Sequence, residues 1–233
     1  MPSTSHYLDQ VFFVALPYVA FFTFFLVTIT RYRLRSFTYS SLSSQFLENR
    51  QHFWGLVPFH YGILFVLAGH VVAFLVPRQI LWWNSRPLRL YILEATALVF
   101  GLFTLVGLGA AILRRHTVSK IRRVTTARDW IVLALLLLQV VSGIGIAVSY
   151  PWGSSWFAAS ATPYLWSILK LNPQVGYLSA MPWLVKFHIV NAYVLIAFFP
   201  FTRLVHVLVV PNPYLWRRPQ VVRWYRRPAA GRV

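Results

Sequence analysis

The chain of 233 residues is 58% hydrophobic, 18% aromatic and only 11% charged, and its mean hydropathy of +0.60 excludes an ordinary soluble domain. Its net charge of +18 comes from Arg and Lys that lie between hydrophobic runs rather than on one face of a polar domain, so a nucleic-acid partner is excluded. Cysteine is absent, which excludes disulfides, thiolate-held iron–sulfur clusters, covalently attached haem and cysteine nucleophiles. We therefore predict a polytopic membrane protein.

Five hydrophobic runs are long enough to cross a bilayer, which takes about 20 residues for each helix. The first run has no basic residue before it and no small-residue cleavage site, so we interpret it as a retained span rather than a signal peptide. The predicted fold class is all-α, with a single membrane domain over residues 1–233 that forms a helical bundle. Its spans are expected at about residues 11–30, 53–76, 90–113, 130–150 and 183–210, followed by a basic tail at 211–233.

The orientation of the bundle follows from its basic residues, because Arg and Lys in short loops are retained on the cytoplasmic side. Seventeen of the 22 lie around the ends of the first, third and fifth spans, and five lie at the opposite ends. This asymmetry predicts an outside N-terminus and a cytoplasmic C-terminus. The basic tail is expected to contact either a partner subunit or anionic lipid headgroups of the bilayer.

Four of the seven histidines lie inside the hydrophobic runs, where an ionisable side chain is costly and indicates a function. His60 and His70 are 10 residues apart, and His188 and His206 are 18 apart, which is about 15 Å and 27 Å along a helix axis. Because the second and fifth spans run in opposite directions, His60 and His206 share the inner level, and His70 and His188 share the outer level. This arrangement predicts two bis-histidine sites for two haem b groups.

Other interpretations of the histidines remain open at this point. A zinc site would need three or four ligands around one ion, and His60 and His70 are too far apart to share one. A haem-free scaffold in which the histidines relay protons predicts no haem spectrum. Within the fifth span, Pro200 lacks an amide donor and predicts a bend between the two histidines. Glycines in the second, third and fourth spans suit close helix packing or a flat cofactor.

Several motifs add to the histidine pattern, and together they extend from the first span to the last. The chain resembles the gamma subunit family of membrane-bound respiratory nitrate reductase, a cytochrome b that anchors the complex. The motifs are Arg31-Tyr32, Ser43-Ser44-Gln45-Phe46-Leu47, Phe59-His60-Tyr61-Gly62-Ile63-Leu64 with Gly69-His70, Arg123-Val124-Thr125-Thr126, and Phe199-Pro200-Phe201-Thr202-Arg203-Leu204-Val205-His206.

This resemblance implies a multi-pass protein of the prokaryotic cell (inner) membrane that oxidises quinol at the outer face. Electrons would pass through two b haems to a cytoplasmic iron–sulfur subunit, which feeds a molybdenum catalytic subunit. The chain would be the quinol dehydrogenase part of a quinol:nitrate oxidoreductase, with nitrate reduced on a partner. By position, His70 and His188 would hold the distal haem iron, and His60 and His206 the proximal haem iron. No side chain of this chain is expected to act as a chemical catalyst.

The family also has a basic residue that contacts the quinone at the start of the third span, where this chain has Arg89 instead of lysine. We therefore expect Arg89, Gly69 and His70 to line the quinol site. Arg115 and Arg203 are candidates to pair with haem propionates, since guanidinium groups bind carboxylates in a bidentate way. A haem b anchor of a related sulfite- or heterodisulfide-reductase-type complex remains an alternative, because the electron acceptor lies on another polypeptide.

Overall fold

The computed structural model describes residues 4–34 and 50–209, and this part of the chain is helical, with no strand. Five of its helices are long and apolar enough to span a membrane, which confirms the predicted all-α bundle. The motif at residues 43–47 and the basic tail at 211–233 lie outside the described residues. The spans are Tyr7–Leu34, Gly55–Leu75, Pro87–Thr117, Ala127–Ser149 and Trp183–Phe201.

The first span contains a widened turn ahead of a proline. Helix α1 (Thr4–Gln10) continues through a π-helical turn (Val11–Ala15) into α2 (Leu16–Leu34). Pro17 has no amide hydrogen, and its ring would clash with the carbonyl four residues earlier in a regular α-helix. That carbonyl, of Phe13, accepts a hydrogen bond from the Tyr164 hydroxyl at 2.9 Å. A distant segment therefore satisfies the backbone group that the proline leaves without a partner.

Helices α3 (Arg50–Leu75) and α5 (Pro87–Thr117) lie against each other along most of their length. A Cβ atom at Gly62 would contact the Thr104 hydroxyl and lie 2.6 Å from the Phe100 carbonyl oxygen. Such a contact is far inside van der Waals distance, so only glycine permits this approach. Gly62 therefore serves the close packing of two helices.

Gly107 of α5 makes a similarly close contact with α3, whereas Gly69, next to His70, does not. A Cβ atom at Gly107 would overlap the backbone nitrogen of Phe59 and lie 2.6 Å from the Gly55 carbonyl oxygen. By contrast, a Cβ atom at Gly69 would have no neighbour within 4 Å. Helix packing therefore explains Gly62 and Gly107, while the surface at Gly69 is open.

The remaining helices complete the bundle and its two ends. Helix α7 (Ala127–Ser149) contacts α5 and α10 (Trp183–Phe198), and α10 contacts α2. We call the end that carries α4, α8 and α9 the α4 end, and the end that carries α6 the α6 end. The elements are α4 (Pro77–Asn84), α6 (Ser119–Arg123), α7 (Ala127–Ser149), α8 (Gly153–Trp156), a π turn (Phe157–Ala161), α9 (Thr162–Leu169) and a 3-10 turn (Val175–Leu178).

The long connection between the fourth and fifth spans packs onto the bundle. Tyr164 is fully buried, and its ring meets Phe13 edge-on at 6.2 Å between centroids. The Trp166 indole stacks on Phe74 at 4.8 Å and donates a hydrogen bond to the Phe74 carbonyl oxygen at 3.1 Å. This connection therefore holds the first and second spans together at the α4 end.

The fifth span is interrupted before its second histidine. Helix α10 (Trp183–Phe198) gives way to 3-10 turns at Phe199–Phe201 and Arg203–Val205, and α11 (His206–Val209) follows. Between the turns, Thr202 is extended, with φ −106° and ψ 178°. The sequence predicted only a bend at this place, and the structure instead shows a break.

Polar side chains satisfy the backbone at this break. The Arg31 guanidinium donates hydrogen bonds to the carbonyl oxygens of Pro200 and Thr202. The Thr202 hydroxyl accepts one from the Leu204 amide at 3.0 Å. An irregular backbone is tolerated inside a membrane protein only where its polar groups find such partners. Arg31 therefore ties the first span to the segment that carries His206.

Candidate haem-binding histidine pairs

The structure brings the predicted inner pair together. The ring centroids of His60 and His206 are 6.4 Å apart, and the ring planes are inclined by 67°. An imidazole nitrogen lies about 2 Å from a bound metal ion, so two imidazoles on opposite sides of one ion have centres roughly 6 Å apart. The spacing of His60 and His206 therefore fits one iron between them.

Three of the four histidines are oriented by carbonyl oxygens of their own chain segment. The Nδ1 atoms of His60, His70 and His206 each lie 2.8 Å from a backbone carbonyl oxygen. A carbonyl only accepts, so Nδ1 carries the hydrogen, and the lone pair is left on Nε2. This is the tautomer that a metal ion needs when it binds through Nε2. The accepting residues are Leu56, Val66 and Arg203, respectively.

An ion pair between the buried Asp129 and the partly exposed Arg203 positions the His206 segment at the α6 end. The Nε atom of Arg203 lies 2.9 Å from Oδ1 of Asp129, whose exposure is 4%, and Arg203 also donates to the Val124 carbonyl oxygen. Asp129 in turn forms a capping box with Thr126 at the start of α7. Asp129 was not among the site residues predicted from the sequence. The pattern of a threonine three residues before an acidic residue was the available signal.

The two arginines predicted to pair with propionates differ in their contacts. Arg203 is held by Asp129 and Val124, so its guanidinium is already occupied in part. The Nε atom of Arg115 is buried and has no hydrogen-bond partner. The charges of Asp129, Arg203 and Arg114 all act on Arg115. A buried donor without a partner is costly, so Arg115 has the greater capacity to bind an added carboxylate.

The predicted outer pair is arranged differently from the inner pair. His70 is exposed, and its ring meets Phe157 edge-on at 5.2 Å between centroids. His188 lies within electrostatic range of His70, and both of its nitrogens are bonded to side chains of α7. Nδ1 lies 2.9 Å from the Ser142 hydroxyl, and Nε2 lies 2.9 Å from the Gln139 amide nitrogen. Metal ligation through Nε2 therefore requires the Gln139 amide to move away.

Arg89 lies beside two indole rings at the α4 end. Its guanidinium carbon is 4.8 Å from the Trp82 ring centroid and 5.3 Å from that of Trp83, distances that give cation–π attraction. The side chain also donates to the Ser85 hydroxyl at 3.4 Å. The Nε atom is buried and has no hydrogen-bond partner. Arg89 thus keeps one donor for a further acceptor.

The register of α3 and α5 relates Arg89 to His70. Phe65 stacks on Phe100 with 3.9 Å between ring centroids, and in antiparallel helices this contact places His70 level with Ala95. Arg89 lies six residues closer to the α4 end, which is about 9 Å along the helix axis. The residues predicted for the quinol site therefore lie on adjacent helices at the same end of the bundle.

Sequence similarity to known proteins identifies the family of this chain. The family model described as "Nitrate reductase gamma subunit" matches residues 9–225. The chain belongs to this family. It is 32% identical over 224 residues to the respiratory nitrate reductase 2 gamma chain of Escherichia coli (strain K12), a match over 93% of this chain and 97% of that one. It is also 32% identical over 218 residues to the nitrate reductase gamma chain of Bacillus subtilis (strain 168), over 92% of this chain and 97% of that one.

Another relative belongs to a different reductase. It is a subunit of the dihydromethanophenazine:CoB–CoM heterodisulfide reductase of Methanosarcina barkeri, 28% identical over 116 residues, which is 48% of this chain and 37% of that one. The gamma-chain relatives match far more of the sequence. This gamma-family chain is therefore a membrane subunit of respiratory nitrate reductase, an oxidoreductase complex with other subunits, in a prokaryotic membrane.

Proposed function

We propose that this chain is the quinol-oxidising, dihaem cytochrome b subunit of its complex. It takes electrons from membrane quinol at the outer face and passes them across the membrane to a cytoplasmic iron–sulfur subunit, which supplies the molybdenum subunit that reduces nitrate. The observation that carries the proposal is the 6.4 Å separation of the His60 and His206 rings in a nitrate reductase gamma chain. The α6 end is the cytoplasmic side in this proposal, as the distribution of basic residues indicates.

The residues of the chain have distinct parts in this function. His60 and His206 hold the proximal haem, and His70 and His188 hold the distal haem. Bound haem supplies reversible one-electron chemistry, while the protein supplies ligation, orientation and a low-dielectric setting. The backbone carbonyls at three of the histidines keep the Nε2 lone pairs ready for iron. Arg115, with its unpaired Nε, is the stronger candidate to bind a propionate, and Arg203 is the second.

The haem content of the purified chain tests this function. The chain in detergent is expected to contain about two b haems, because two histidines would hold each haem and there are four intramembrane histidines. A pyridine haemochrome assay counts the haems, and a reduced-minus-oxidised spectrum shows whether added quinol reduces them. A folded chain without haem would support the proton-relaying scaffold instead. If the chain contains haem but added quinol does not reduce it, quinol oxidation is refuted and haem binding still stands.

The quinol site is proposed at the α4 end, where Arg89, Gly69 and His70 lie. Arg89 has an unpaired Nε and can donate a hydrogen bond to a quinone oxygen. It remains protonated, so it binds the quinone without accepting its protons. The open surface at Gly69 leaves room for a ring beside His70. These features support a site in which Arg89 binds one end of the quinol.

Replacing Arg89 with alanine is expected to raise the KM for quinol about tenfold, the loss that corresponds to one hydrogen bond from a charged donor. The haem count should not change, because Arg89 lies about 9 Å along the axis from the level of His70. Steady-state quinol oxidation by the purified complex measures the effect. Arg86→Ala is the matched control, since Arg86 is an exposed arginine just before α5. Equal KM values for Arg89→Ala and the parent would remove Arg89 from the site.

A second candidate function is suggested by the similarity to the heterodisulfide reductase of Methanosarcina barkeri. In that case, the chain would be a haem b anchor whose electrons go to a different type of catalytic partner. Both functions would use haem b, so haem spectra do not separate them. Co-purification does: a molybdenum-containing subunit in the complex supports nitrate reductase, and a complex without molybdenum supports the alternative.

A further inference from the structure

We infer that Ser142 is a positioning residue for His188, and that its hydrogen bond lowers the tendency of the distal haem to be reduced. The inference rests on the proposed function, since it requires His188 to be a haem ligand. Its basis is a difference among the four histidines. Three of them use backbone carbonyls of their own chain segment to fix Nδ1. His188 is instead held from a neighbouring helix, α7, by the side chains of Ser142 and Gln139 and by the Gln139 backbone carbonyl.

The direction of each hydrogen bond around His188 follows from the backbone at both ends of the network. The Leu135 carbonyl can only accept, so Asn191 presents its amide nitrogen there at 3.0 Å, and it also donates to Oε1 of Gln139 at 2.7 Å. Gln139 must then direct its amide nitrogen at Nε2 of His188. Nε2 therefore accepts, and the ring hydrogen lies on Nδ1, which donates to the Ser142 hydroxyl. The Ser142 hydroxyl in turn donates a hydrogen bond to the backbone carbonyl oxygen of Gln139 at 3.1 Å.

Burial and close packing make this network rigid. Ser142 is 4% exposed and Asn191 is 5% exposed, so neither has water as a ready alternative partner. A Cβ atom at Gly143 would lie 3.1 Å from the Cε1 atom of His188, which shows how closely the ring lies against the α7 backbone. The ring is thus held in one orientation and one tautomer, with its lone pair on Nε2.

Two of the side chains then have different roles. Gln139 donates to the lone pair of Nε2 that iron would use, so its bond is given up on ligation. The bond from Nδ1 to Ser142 involves the opposite ring nitrogen and is compatible with ligation. A hydrogen bond accepted from the far nitrogen of a ligating imidazole makes the ligand more basic and favours the oxidised metal ion. Ser142 therefore lowers the tendency of the distal haem to be reduced.

Ser142→Ala is the test, because it removes the hydroxyl without filling space. Both haems should be retained. At a fixed potential, the oxidised-to-reduced ratio of one haem should fall about three- to tenfold, because a change of that size corresponds to the loss of one ordinary hydrogen bond. The electron paramagnetic resonance signal of that low-spin haem should also shift, while the other haem stays unchanged. Redox potentiometry and resonance spectra of the purified full chain provide the two readings. Ser149→Ala, two turns along the same helix, is the matched control and should behave as the parent.

The outcomes separate this inference from the proposed function. Ser142→Ala would overturn the positioning role if it retains two haems and both haems keep the potentiometric curves and resonance signals of the parent. The proposed function would then remain intact. Selective loss of one haem in Ser142→Ala, with the helix content of the parent, would overturn the redox part of the inference, since the hydroxyl would then be needed for haem binding itself. A parent chain without haem would overturn both.

Discussion

Replacing His60 and His206 together with alanine is expected to remove one b haem from the purified chain and leave the other in place. The two rings lie 6.4 Å apart, as they would on opposite sides of one iron. The haemochrome count should therefore fall from about two haems to about one per chain. The single variants His60→Ala and His206→Ala should give the same count, because a haem that loses either histidine is bound poorly. Replacing His60 and His188 together should instead remove both haems. Quinol-driven electron transfer to the partner subunits should be lost in every case.

The pairs of variants make this a test of pairing rather than of histidine content. Both double variants, the one at His60 and His206 and the one at His60 and His188, lack two intramembrane histidines. A difference between their haem counts therefore reports which histidines share an iron. His116→Ala is the control, since His116 is exposed and lies against Trp130 near the end of α5. The pairing is wrong if the His60 and His206 double variant loses both haems while its elution and helix content match those of the parent.

Replacing Asp129 with alanine is expected to lower the free energy of unfolding by about 1–3 kcal/mol, because it removes a buried carboxylate from its ion pair with the partly exposed Arg203. It also removes the capping box at Thr126, whose loss alone costs about 1 kcal/mol. The proximal haem should be bound more weakly, since Arg203 belongs to the segment that carries His206. Denaturant unfolding in detergent, followed by helix content and haem absorbance, measures both effects.

Asp9→Ala supplies the matched control for this experiment. Asp9 also pairs with a basic residue, Lys186, but the distance is 3.9 Å, and the two side chains are 32% and 26% exposed. Such a pair contributes only about 0–1 kcal/mol. Similar destabilisation by the two variants would show that the Asp129–Arg203 pair has no special role in the structure.

The composition of the chain was sufficient to predict its spans. The bilayer interior offers no partner for backbone polar groups, so about 20 apolar residues have to form each helix, and this demand is visible in the sequence residue by residue. The same physics predicts a function for His60, His70, His188 and His206, because ionisable groups are expensive in hydrocarbon. The pairing of His60 with His206 also followed from helix rise and direction, and the structure brings these two rings together.

Contacts between distant residues could not be predicted in this way. Arg31 counted in the sequence as a basic residue after the first span and as part of a family motif, yet neither feature predicts its bonds to the carbonyls of Pro200 and Thr202. The sequence also gives no sign of the contacts of Tyr164, which the structure buries completely. Both results depend on which surfaces of different helices meet, and helical periodicity alone does not specify the neighbour of a surface.

The sequence by itself determined that this protein is a five-span membrane bundle, and it singled out four intramembrane histidines as candidate ligands, because hydrophobic length and the cost of buried charge are local properties. Only the tertiary structure decided how those histidines are held. The break after Phe198, the Asp129–Arg203 ion pair and the hydrogen bonds of His188 with Ser142 and Gln139 each involve residues from separate helices. Their energies depend on distances of about 3 Å, which arise only when the bundle is packed.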